Sequence, residues 1–335
     1  MSVRSVALVA VLAFACTGRA SHAGPSSNES SPTRHVPATP PLVTANPVGS
    51  APPLGSGAPC AVPGCVPMTA GEQRFAIIGD YGLSGPDEAS VAALVANVRP
   101  DFVVTTGDNN YPLGGADTID ENVGRYFHAF ISPYKGNFGA GASANRFFPS
   151  LGNHDWDAPQ AQPYLDYFSL SNNERYYEAT VGAVQLFAVD SDPNEPDGTD
   201  VDSLQAHWLE ARLKASHAAW KVVYFHHPPY SSGPHGSSPD MRWPFREWGA
   251  SIVYSGHDHT YERLSVAGFP FIVNGVGGNE LYEIVEPLPE SQARHSDVHG
   301  LVLVTASASE LVSHFLDAQG KELDVLRLAH TPGAQ

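Results

Sequence analysis

Five times along this chain an apolar or β-branched run ends in a short polar cluster of glycine, aspartate, asparagine and histidine, and that recurrence limits the fold more than any other feature. The first run, Arg74-Phe-Ala-Ile-Ile78, passes straight into Gly79-Asp80-Tyr81-Gly82. The others are Gly107-Asp108-Asn109-Asn110-Tyr111, Gly152-Asn153-His154-Asp155, His226-His227-Pro228 and Gly256-His257-Asp258-His259. Runs of this length read as buried strands, so each cluster puts oxygen or imidazole donors at a strand's carboxyl end. The spacing predicts helices near 87–98, 118–131, 162–168, 203–215 and 241–248, between strands at 101–106, 184–189, 220–225 and 251–254. An extended segment leads to Leu151. The alternation is that of an α/β fold, whose polar turns after the strands are where ligands collect. From about Pro270 the pattern becomes β-hairpins, over 271–273, 301–304, 310–315 and 323–328, with Gln319-Gly320 as a turn. No internal repeat and no second core is visible.

Taken singly, a Gly-Asp after a strand is an ordinary turn. His257 and His259 say more, because donors two apart on extended backbone project to the same side. The joint occurrence of five clusters on one α/β pattern is what points to a site. Composition narrows the class of partner. A net charge of -17 excludes a protein that tracks nucleic-acid backbones or coats anionic membranes by electrostatics, so any anionic substrate has to be attracted locally.

The amino-terminal end carries a different message. Met-Ser-Val-Arg4 followed by the apolar run from Ala7 to Ala15 has the short basic and apolar regions of a secretory leader, predicted over 1–23. Two exits fit it: cleavage near Ser21-His22-Ala23, or lipid attachment at Cys16. Either makes the protein exported, to the periplasm, the extracellular space or an outer surface as a lipoprotein. Residues 24–71, dense in Pro, Ser, Ala, Gly and Thr, read as a disordered linker, and 72–330 as the catalytic domain. Cys60 and Cys65 either pair across a small loop or remain free thiols.

In order, Gly-Asp-x-Gly, Gly-Asp-x-x-Tyr, Gly-Asn-His-Asp, His-x-Pro and Gly-His-x-His resemble the motifs of the calcineurin-like metallophosphoesterases and, among them, the purple acid phosphatases. The resemblance covers about 74–328. It implies a four-layer α/β/β/α sandwich of two mixed sheets, in the compact, single-domain form. It also implies one metal held by Asp80, Asp108, Tyr111 and His259, and a second held by Asp108, Asn153, His226 and His257, with Asp108 bridging. Many relatives carry Asp-x-His in the first cluster; here Gly82 stands in that histidine's place and Tyr111 supplies a phenolate. Two carboxylates and a phenolate favour a trivalent ion, while an amide oxygen and two imidazoles suit a divalent one. The expectation is Fe(III) beside Zn, Mn or Fe(II), with a violet tyrosinate-to-iron band.

A metal pair lowers the pKa of coordinated water and needs no protein nucleophile. What remains is protonation of the leaving alkoxide. His154 stands in the family's position for that role, and His235 matches a second histidine that contacts phosphate or leaving group. His227 reads as packing or as support for the neighbouring ligands, and Asp155 and Asp258 as orienting theirs. The expected reaction is hydrolysis of small phosphate monoesters. The clusters do not encode pocket width, so a phosphodiesterase or nucleotidase on the same site is the alternative. A surface-tethered protein that only binds metal or phosphate is the second. Oligomeric state is not legible.

Overall fold

A strand buried on both faces must place alternate side chains into two different cores, and the strands of this protein do so residue by residue. The computed structural model describes residues 71–330. The leader, Cys16, the Cys60 and Cys65 pair and all of the linker except Gly71 lie outside the described residues. The described strands are β1 (Gln73–Ile78), β2 (Phe102–Thr105), β3 (Phe147–Pro149), β4 (Tyr177–Val181), β5 (Val184–Ala188), β6 (Trp220–Tyr224) and β7 (Ile252–Ser255). They continue with β8 (Tyr261–Val266), β9 (Phe269–Asn274), β10 (Ser291–His295), β11 (Gly300–Ala306), β12 (Glu310–Asp317) and β13 (Glu322–Ala329). One sheet runs β13-β12-β11-β1-β2-β3, the other β10-β8-β9-β7-β6-β5-β4. Both are mixed: β1, β2 and β3 are parallel in the first, and β5, β6, β7 and β9 in the second.

Phe75 and Ile77 of β1, Phe102 and Val104 of β2, Val222 and Tyr224 of β6, and Ile252 and Tyr254 of β7 fill the space between the sheets. The alternate residues point outward. Ala76, Ile78 and Val103 meet Val91, Leu94, Val95 and Val98 of the helix Pro86–Val98. On the other side, Val223 and Val253 meet Leu209 and Leu213 of the helix Leu204–Ala215, together with Trp243, Phe245 and Trp248. The result is the expected four-layer α/β/β/α sandwich.

Several elements differ from expectation. The helix predicted near 118–131 is a succession of short π, α and 3₁₀ turns from Asp120 to Phe130. There the Asp120 carboxylate accepts hydrogen bonds from the Tyr134 and Tyr167 hydroxyls and the Asn137 amide, holding the 131–145 loop against this segment. The helix predicted near 241–248 shrinks to Phe245–Trp248, because Pro244 has no N–H to continue a helix from Met241. The segment at 271–273, read as part of a hairpin tail, is β9, which pairs in parallel with β7 and antiparallel with β8. Strands β4, β8 and β10 were not expected.

Candidate metal centre

The parallel strands of both sheets open at the same end of the sandwich, and all five clusters follow them there. Asp80 lies two residues beyond β1, Asp108 three beyond β2, Asn153 four beyond β3, His226 two beyond β6, and His257 two beyond β7. The turns are tight enough that Asp80, Asp108 and His257 adopt positive φ of 55°, 51° and 71°. For a residue with a Cβ this costs roughly 1–2 kcal/mol. Such strain persists only where the surroundings over-determine the conformation, as they do around sites.

Ligating atoms of Asp80, Asp108 and His226 lie within 4.8 Å of one another, all buried. The Tyr111 hydroxyl joins them, 2.8 Å from Asp108 Oδ2, 3.4 Å from Asp80 Oδ1 and 3.2 Å from His259 Nε2. His226 Nε2 sits 3.0 Å from Asn153 Oδ1 and 3.2 Å from His257 Nδ1. All seven predicted side chains therefore converge, in two overlapping groups that share Asp108. Backbone carbonyls fix two of the imidazoles. His226 donates from Nδ1 to Thr106 O at 2.8 Å, and His259 from Nδ1 to Glu280 O at 2.6 Å, so each turns Nε2 to the cluster.

The electrostatics are those of a cation site. Burial alone would raise the Asp108 carboxyl, but the charge and hydrogen bond of His226 outweigh it and hold it well below the usual carboxylate range. Burial likewise opposes, and Asp108 and Asp80 override, so that His226 is pushed up to about 10. A proton on His226 thus balances buried oxygens crowded around one point. Oxygen and imidazole donors converging in this way fit metal ions in both chemistry and charge.

Gly82 has a structural reason. A Cβ there would lie 1.9 Å from Asn109 O, because the first loop runs against the second, with Tyr111 N–H donating to Gly82 O at 2.8 Å. With this backbone no histidine fits at position 82.

Three imidazoles that do not take part in the convergence surround it. His154 packs on Tyr111, ring centroids 4.4 Å apart, and donates from Nδ1 to Pro112 O at 2.7 Å. Its amide donates to Asp108 Oδ1 at 2.9 Å. His235 stacks on His257 at 4.3 Å. His227 lies 4.4 Å from the same ring and is pushed down to about 3 by burial and by neighbouring His226. Asp155 and Asp258 do orient their neighbours. Asp155 Oδ2 accepts from Asn109 and Gly152, while Asp258 accepts from the Ser231 hydroxyl and the His235 amide. Sequence reasoning passed over Asn109, which links Asp155 to Ser150, Thr105 and Tyr81, although its place in the Gly-Asp-Asn-Asn run was a signal. It also passed over Tyr282, which stacks flat on His259 at 4.1 Å from a loop with no local mark of function.

The family profile of the calcineurin-like phosphoesterases matches residues 73–261, more than half of the chain and all five clusters. The chain belongs to this family. The phosphoesterase is 26% identical over 289 residues to purple acid phosphatase 17 of Arabidopsis thaliana, covering 76% of this chain and 83% of that protein. It is 21% identical over 304 residues to human tartrate-resistant acid phosphatase type 5, covering 76% and 90%. Among solved structures it is similar to purple acid phosphatase PPD1 from yellow lupin, with a TM-score of 0.64 and 18% identity, over 78% of this chain and 55% of that one. The phosphoesterase is accordingly a metal-dependent phosphoric ester hydrolase, and its family implies a dinuclear centre.

Proposed function

We propose that the protein is an exported acid phosphatase that hydrolyses small phosphate monoesters at an Fe(III) and divalent metal pair. The observation that carries this reading is the Tyr111 hydroxyl, buried among Asp80, Asp108 and His259 where Gly82 excludes a histidine. In it Asp80, Asp108, Tyr111 and His259 hold the trivalent ion. Asp108, Asn153, His226 and His257 hold zinc, manganese or ferrous iron. When bound, the pair supplies charge neutralisation and an activated water. The protein's own groups do the rest. Asp108 would be the carboxylate shared between the two ions, and its Oδ1 is aimed by the His154 amide. With Nδ1–H donating to Pro112 O, His154 keeps Nε2 without a partner among the described residues, and in its imidazolium form it would give the Nε2 proton to the leaving alkoxide and remain as the Nδ1–H neutral ring. His235, anchored through its amide to Asp258, contacts the phosphoryl or leaving group. Export rests on the basic and apolar amino-terminal segment.

The test is a rate comparison of an aryl phosphate monoester and an aryl diester from pH 4 to pH 9. A monoester preference with an acidic optimum is expected. A diester preference near neutral pH would replace this reading with a phosphodiesterase on the same residues, and retained metal without hydrolysis of either ester would leave a binding protein.

A further inference from the structure

The second sheet carries one more imidazole at the cleft than the metal pair and the two assigned catalytic roles use. His227 directly follows His226, yet neither of its ring nitrogens is hydrogen-bonded to the converging donors. Its Nδ1 lies 3.0 Å from Ser191 Oγ, and its backbone N–H donates to the same oxygen at 2.8 Å. The ring borders His257 at 4.4 Å and His226 at 5.0 Å, the two imidazoles whose ring nitrogens approach to 3.2 Å. Among the described residues no hydrogen bond to Nε2 is formed, and this nitrogen is not sealed in the protein as the orphaned oxygens of Asp155 and Thr260 are. A half-buried ring held by one nitrogen and open at the other is built to meet something that enters the cleft.

We propose that His227 is a substrate-binding residue whose Nε2–H donates to a non-bridging oxygen of the phosphoryl group, in the tautomer that Ser191 selects. Ser191 Oγ accepts from the His227 amide and stands 3.0 Å from Nδ1, in place to donate its own proton there. A neutral imidazole accepting at Nδ1 carries its proton on Nε2. A neutral donor suits this place, since a lysine or arginine here would repel the cations beside it. It is also needed, because a phosphoryl group has three non-bridging oxygens to satisfy and the protein's overall charge repels it.

The inference rests on the phosphate-ester reading but is tested separately from turnover, by calorimetric binding of inorganic phosphate to the metal-loaded full chain. His227→Ala is expected to weaken phosphate by roughly 10-fold or more at unchanged metal content, the usual effect of losing a hydrogen bond to a charged group. His227→Gln, whose amide nitrogen falls near the position of Nε2, should recover most of that loss. Ser191→Ala should weaken binding by a smaller factor, since the tautomer is then no longer held. Parent-like phosphate affinity in His227→Ala would show a packing role and overturn the proposal, and so would loss of metal in that variant. If His227→Ala does not fold, a phosphate affinity in Ser191→Ala equal to the parent's overturns it instead. A parent that binds phosphate but hydrolyses no monoester would sink the phosphatase reading while leaving this contact intact.

Discussion

The two sheets bring opposite chemistries to the cleft. The oxygen donors Asp80, Asp108, Tyr111 and Asn153 all follow strands of the first sheet, whereas the imidazoles of His226, His257 and His259 all follow strands of the second. On its own the first half is a set of carboxylates crowded against a phenol, and the second a set of rings without counter-charge. Packing the sheets through the Phe75, Ile77, Tyr224 and Tyr254 layer makes each half the other's partner. Asp108 and His226 show this directly, the one held low and the other pushed up to about 10. Glu88 is the contrasting case. It is fully buried in the helix that covers the first sheet, its oxygens accept no hydrogen bond, and burial together with Glu121 pushes it up to about 10 against the pull of Arg125. A buried carboxylate facing an imidazole stays charged, and one without such a partner takes a proton.

The most severe way to break the comparison is Asp108→Ala, which removes the group shared by both halves. Metal analysis of the purified variant should find the pair lost and activity abolished; a variant that keeps its full metal complement would mean that Asp108 does not bridge. Tyr111→Phe is a narrower lesion on the oxygen side. It should remove the visible charge-transfer band of the iron-loaded protein, and an unchanged absorption spectrum would refute the phenolate assignment. The smallest effect sharpens the comparison away from the site.

Because the folded protein keeps the Glu88 proton up to about pH 10 while the unfolded chain releases it near 4.5, stability is lost as pH rises between those values. The slope is at most about 1.4 kcal/mol per pH unit. Glu88→Gln removes it. Thermal melts should therefore show the variant more stable than the parent at pH 8 and indistinguishable at pH 4, and an equal difference at both pH values would contradict the account.

How far each element could be read depended on where its stabilising partners lie. The helix Leu204–Ala215 was legible because its start is local: Ser203 Oγ accepts the Ala206 amide at 3.1 Å. Strand β8 was not. It carries Glu262 and Arg263, which are satisfied by Ser232 and Asp324, some 30 and 61 residues away. Strands β4 and β10 are sheet edges, where a continuous apolar run is not required. The predicted helix near 118–131 failed for the same reason, since the Asp120 partners come from a loop that no local pattern announces.

The amino-acid sequence by itself determined which donors follow which strands, and with them the division between oxygen and imidazole, because a strand's end and the residues after it are neighbours along the chain. Only the tertiary structure decided which nitrogen His226 and His259 present, that Gly82 has no room for a side chain, and that Ser191 holds the Nδ1 side of His227. Those outcomes depend on contacts between Gly82 and Asn109, His226 and Thr106, or His227 and Ser191, pairs 27 to 120 residues apart that meet only when the strands before them are laid side by side in a sheet or, for His226 and Thr106, when the two sheets pack.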